Sequence, residues 1–164
     1  MKIIPDEVIN FLKNQGFVIV CTYDPEGTIH SAAKGIVGIK KEGNLYLIDL
    51  YRAKTYNNLS KNSILSVTAV DGRQFTGYTL KGIANIVERD KIEDHIIKSW
   101  EERVIQRISE RVIKNVQQEK GASFHPEAQF PHPQYLIVME VDEIIDLAPS
   151  HLKKSTKVET KDDQ

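Results

Sequence analysis

Residues 17–50 read FVIVCTYDPEGTIHSAAKGIVGIKKEGNLYLIDL, and the fold follows from how this stretch is divided. FVIVCTY (17–23) is a continuous β-branched and aromatic run, which predicts a buried strand. DPEG (24–27) has the chemistry of a turn. TIHSAAKGIVGIK (28–40) reads as a long strand with unusually small side chains. KEGN (41–44) turns the chain again, and LYLIDL (45–50) returns. Two turns this short leave room only for an antiparallel three-strand meander.

The flanks extend the pattern. PDEVINFLKNQG (5–16) predicts a short helix, with Pro5 at its first position, Asp6 and Glu7 at the positive end of its dipole and Gly16 as exit cap. Val8, Phe11 and Leu12 give it one apolar face. A short helix is expected after Tyr51, from about Ala53. Strands follow at ILSVTAV (64–70) and YTLKGIANIVE (78–88), joined by the loop DGRQFTG (71–77). Residues 90–119 form one long helical segment. Its apolar ridge, Ile92, Ile96, Trp100, Val104, Ile108, Val112 and Val116, repeats at i, i+4 and drifts around a straight helix, so a break near the middle is expected. GASFHPEAQFPHP (121–133) reads as a loop and QYLIVMEVDEI (134–144) as the last strand. Residues 150–164 form a polar, frayed tail. The fold class is therefore mainly β with added helices. Residues 1–149 make one domain, a six-stranded antiparallel barrel, closed or split, which removes exposed strand edges.

Composition narrows the function. The 164 residues carry a net charge of −1, which gives no field to attract a nucleic acid or a membrane. One cysteine, Cys21, excludes an intrachain disulfide and fits a reducing compartment. No apolar run is long enough to span a bilayer, and the first residues lack an apolar signal core. A soluble cytoplasmic protein is expected. Cys21, in a buried strand, is not expected to act as a nucleophile. His125, Glu127 and His132 match no strong metal-ligand spacing. Glu101, Glu102, Arg103, Arg107, Glu110 and Arg111 read as a solvated helix face with i, i+4 ion pairs. The sequence has no P-loop, GxSxG or CxxC.

Two stretches can carry chemistry. In YRAKTYNNLSKN (51–62), Arg52, Lys54 and Thr55 follow a strand where a helix begins. A guanidinium fork, an ammonium and a hydroxyl suit a phosphate, and a helix start adds N–H groups. The same residues serve a solvated strand-to-helix turn, the commoner use of such a cluster. In HSAAKGIVG (30–38), Ser31, Ala32, Ala33, Gly35 and Gly38 leave the backbone bare. That suits close approach of a flat ligand or a second chain, or a tightly bent barrel corner. Lys34 is its lone charge.

The ordered set of a D-x-x-G turn, a small-residue strand, a G-x-L-Y-L strand, R-x-K-T-x-N-L, N-S-I-L-S-V and G-x-A, over residues 5–88, resembles the pyridoxamine 5′-phosphate oxidase-like, FMN-binding split-barrel family. The resemblance implies a homodimer with FMN in a cleft between subunits. It implies Arg52, Lys54 and Thr55 as ligands of the FMN phosphate. It implies Ser31, Ala32, Ala33 and Lys34 along the flavin, Ile48 and Asp49 at the ring and ribityl chain, and Asn58 as a further candidate. Lys34 beside the ring would favour its anionic reduced form. By alternation, though, Lys34 shares a face with Ala32 and Ile36, so a flavin lying on Ser31, Ala33 and Gly35 would leave it pointing away. The arginine-bearing C-terminal segment of the true B6 oxidases is absent, and the only tryptophan, Trp100, lies in the long helix. Residues 90–133 are expected to wall the substrate side. An FMN-dependent oxidoreductase acting on a small molecule is the first reading. A non-catalytic flavin- or haem-binding module is the second, and a barrel without cofactor the third.

Overall fold

The computed structural model describes residues 1–117 and 126–153. Six strands run β1 (Val18–Tyr23), β2 (Ile29–Lys40), β3 (Asn44–Asp49), β4 (Ile64–Asp71), β5 (Thr76–Glu88) and β6 (Tyr135–Asp146). They close into one antiparallel barrel in the order β1-β2-β3-β6-β5-β4. The meander is thus as expected, and β6 enters between β3 and β5 to seal it. The β1–β2 turn is fixed by Asp24, whose carboxylate accepts the N–H of Thr28 at 2.8 Å and also its hydroxyl. Gly27 supplies the positive φ of 80° that this turn needs.

Alternation sends one face of each strand into the barrel. Val18, Val20, Ile36, Leu45, Leu47, Leu65, Val67, Leu80, Ile137 and Met139 fill the interior. The expectation that β1 is buried on both faces is corrected here. Its burial alternates, and Cys21 is half-buried on the outer face, with Sγ 3.3 Å from the Ser31 hydroxyl.

Helix α1 (Asp6–Lys13) packs at the Tyr78 end, where Phe11 and Tyr78 meet edge to face at 5.3 Å. Pro5 is its N-cap rather than its first residue, and Asn14 ends it, not Gly16. Helix α2 (Lys54–Leu59) packs at the opposite end, beside Glu88 and Tyr135.

After β5 the chain makes a short 3₁₀ turn, Arg89–Lys91, and then helix α3 (Asp94–Gln117), which runs without the expected break. α3 lies across the outside of β2, β3 and β6. There Val37, Ile48, Ile92 and Leu136 form a second apolar cluster with Ile96, Ile97 and Trp100. The outer face of β6 is therefore covered at Leu136 and Val138 by this chain's own helix, while Glu140 and Asp142 further along it are exposed. The face left bare is that of β2, β1, β4 and β5, where Ile19, Tyr23, Ile29, Ile64 and Ile83 are exposed. Of the expected 121–133 loop, Pro126–Gln129 is a 3₁₀ turn, while His125 and the side chain of Glu127 lie outside the described residues. Ser150–Leu152 is also a 3₁₀ turn, and the rest of the expected tail, 154–164, lies outside them too.

Candidate functional site

Register decides what β2 shows to each side. Ala32 and Lys34 pair with Val20 and Val18 and share their inward face. Ser31 and Ala33 therefore face outward, and both are exposed. Gly35 continues this outer stripe. A Cβ built on it would touch nothing nearer than Ile48 Cγ2 at 4.0 Å. Three small residues in a row leave a bare strip of strand on the outside of the barrel.

Lys34 follows the inward alternative. Its ammonium is 2.6 Å from Asp49 Oδ2, in a pair whose side chains are only 12% and 3% exposed. The Tyr135 hydroxyl donates to the same oxygen at 2.5 Å, and the N–H of Tyr51 donates to Oδ1 at 3.3 Å. Burial, reinforced by the bond to Asp49, raises the Tyr135 phenol well above its ordinary value. Paired in this way, the lysine has much of its field cancelled at source.

The strip runs into a cleft of about 390 Å³ between β2, the end of β3 and α3. Ala33, Lys34, Ile48 and Asp49 all line it, as does Gly35. Residues 90–133 supply much of its other wall, though the sequence reading did not name the side chains that form it. Phe17, Tyr51, Trp100 and Phe130 supply rings, and Arg103 and Arg107 supply charge. A signal was present. Trp100, Arg103, Val104 and Arg107 recur at i, i+3, i+4 and i+7, which is one helical face. The solvated-face reading of these two arginines is thereby corrected, since both are half-buried against the cleft.

Arg52, Lys54, Thr55 and Asn58 do not line that cleft. Arg52 pairs with Glu88 and lies 5.1 Å over the Tyr56 ring, whose hydroxyl donates to Glu88 at 2.7 Å. Lys54 is 3.4 Å from Asp24. Each cation thus has a carboxylate of its own, and the two are 47% and 56% exposed. Thr55 and Asn58 are buried, and Asn58 donates to the Thr22 hydroxyl at 3.0 Å, which ties α2 to β1.

The Thr28 hydroxyl, the Thr28 N–H and, less strongly, Lys54 hold the Asp24 carboxyl at about 2. A lowered folded value adds stability that is complete above the unfolded value near 3.8, and that stability is lost as pH falls through about 2. A carboxyl-carbon NMR titration should give this midpoint. Thr28→Val should move it upward by more than Lys54→Met does.

The family model for pyridoxamine 5′-phosphate oxidase matches residues 4–145. No curated protein sequence gives a significant match. HupZ of Group A Streptococcus superposes with a TM-score of 0.59 at 16% identity, covering 88% of this chain and 94% of that one. An F420 reductase gives 0.56 at 14%, covering 87% and 98%. HutZ, the heme storage protein of Vibrio cholerae, gives 0.51 at 16%, covering 88% and 94%. These likenesses show the same barrel. No helix among the described residues is long and apolar enough to cross a membrane.

Proposed function

Because this chain belongs to the pyridoxamine 5′-phosphate oxidase family, we propose that it is an FMN-binding oxidoreductase that acts on a small molecule in the cytoplasm. The observation that carries this reading is the bare outer strip of Ser31, Ala33 and Gly35 leading into the cleft beside Trp100. A planar ring system needs such a strip, because side chains there would hold it off the main chain. Bound flavin would supply the electron transfer, and the protein its position and surroundings.

The residues fit the cofactor in two places. The strip accepts the ring. The half-exposed Arg52 and Lys54 can meet the phosphate, since a guanidinium carries five N–H donors and an ammonium three, more than one carboxylate occupies. Charge-assisted hydrogen bonds are worth roughly 1.5–3 kcal/mol each, so riboflavin should bind at least ~10-fold more weakly than FMN.

A visible spectrum of the purified protein, with FMN and riboflavin titrations, tests this directly. Flavin bands and an FMN preference are expected. A Soret band would favour haem carriage instead, and equal affinities would remove the phosphate role of Arg52 and Lys54. Gly35→Val, whose Cβ meets only ordinary contact, should lose at least ~10-fold in FMN affinity, with an unchanged thermal melt as the check that it still folds. Unchanged binding in that variant would place the ring elsewhere.

The uncovered face of β2, β1, β4 and β5 supports a homodimer. Ile19, Tyr23, Ile29, Ile64 and Ile83 lie there beside Ser31 and Ala33, so one association would bury them and complete the cofactor cleft. Sedimentation at micromolar concentration should show a dimer, and Ile64→Glu with Ile83→Glu should yield monomers. A monomeric parent would overturn this assignment.

A further inference from the structure

The two cations that follow β3 already face two carboxylates of this chain, and those carboxylates are held differently. Asp24, 3.4 Å from Lys54, is part of the β1–β2 turn: its side chain is 5% exposed and accepts both the N–H and the hydroxyl of Thr28. Glu88 is the last residue of β5, and its side chain is 35% exposed. Its Oε2 accepts from Arg52, and its Oε1 accepts from the Tyr56 hydroxyl at 2.7 Å. Tyr56 is itself set edge to face on the buried Tyr135, with ring centroids 5.0 Å apart. The bond to Glu88, and then burial, raise the Tyr56 phenol above its ordinary value, so it stays a donor to that carboxylate.

Charge makes this more than a surface pair. A phosphate monoester carries close to two negative charges. Arg52 and Lys54 would match it alone, but with Glu88 and Asp24 beside them the four groups are neutral before any phosphate arrives. Asp24 cannot swing away without opening its turn. Glu88 can, because an exposed ion pair is weakly held. We propose that Glu88 is a competitor built into the cofactor site: its carboxylate holds Arg52 while the site is empty, opposes an arriving phosphate, and so sets how readily FMN is released. The inference rests on the reading of Arg52 and Lys54 as the phosphate's partners. Its effect falls on the phosphate and not on the ring, which would lie on the bare strip of β2.

Glu88→Gln keeps the size of the side chain and an acceptor for Tyr56 while removing the charge. This variant should bind FMN about fivefold more tightly than the parent, the scale of one exposed ion pair, while riboflavin stays within about twofold. Should a thermal melt show Glu88→Gln unfolded, Glu88→Ala carries the same expectation. In an Arg52→Gln background the gain should shrink to within about twofold, since the group under competition is gone. Asp6→Asn removes a carboxylate from another exposed pair, with Lys41 at the opposite end of the barrel, and should change neither affinity. Unchanged or weaker FMN binding without the Glu88 charge, an equal gain for riboflavin, a full gain without Arg52, or the same gain in Asp6→Asn would overturn the proposal. A parent that prefers FMN to riboflavin, with no tightening in the variant, leaves the flavoprotein reading standing and removes only the competitor. A parent that binds both flavins alike removes the phosphate from Arg52, and the competitor with it.

Discussion

Replacing Asp49 with leucine is expected to destabilise the protein by about 3–5 kcal/mol, the cost of removing one partner from a buried ion pair. Two groups lose their acceptor at once. The Lys34 ammonium, 12% exposed, is left without its carboxylate. The Tyr135 hydroxyl, on a residue that is fully buried, loses the oxygen to which it donates at 2.5 Å. Removing Lys34 as well should restore much of the loss, because an apolar pair of similar size no longer strands a charge. The check is urea denaturation of Asp49→Leu, Lys34→Met and the double variant. If the two single losses sum to that of the double variant, the two residues are not coupled and the pair contributes nothing specific. Lys34→Met further separates structure from redox tuning. With its charge paired inside the barrel, its loss should lower stability more clearly than it moves a flavin potential.

The second large effect is expected at Gly82, in the longest strand pairing of the barrel. The β5–β6 register shifts between Lys81 and Gly82, and the two backbones approach closely there. A Cβ on Gly82 would fall 1.8 Å from the carbonyl oxygen of Glu140 and 2.9 Å from its carbon. Both atoms are backbone, so no side chain can swing aside, and the strands must part. Overpacking typically costs about 1–3 kcal/mol and occasionally more; Gly82→Ala should reach or pass the upper end. Gly72→Ala is the control, since its Cβ would meet nothing within 4 Å. Thermal melts of the two should differ by many degrees. Similar melting temperatures would mean that the strands yield easily at the bulge.

The barrel was legible because its signals are local. Strand alternation, the D-P-E-G turn and the small residues of 30–38 each act within a few positions, and the strand count then limits the architecture. The bare strip could be foreseen as a property of β2, and so could the two ways Lys34 might face. Choosing between those ways needed the pairing of Lys34 with Val18, which sets the whole strand's inward face. Arg52 and Lys54 show the same divide. Their place after β3 is written in the chain, but Glu88 and Asp24, which hold them, come from β5 and from the turn after β1.

By itself, then, the sequence determined the six strands, their antiparallel sense and the stretch of small side chains, because backbone propensity and period-two burial are set by near neighbours. Tertiary structure alone decided that α3 covers the start of β6, that Trp100, Arg103 and Arg107 turn toward Ala33 and Gly35, and that Asp49 neutralises Lys34. Those contacts join residues 15 to 74 positions apart along the chain. Distant groups meet only when burial of the barrel's two apolar clusters brings them together, and no local pattern records which side chain will stand opposite which.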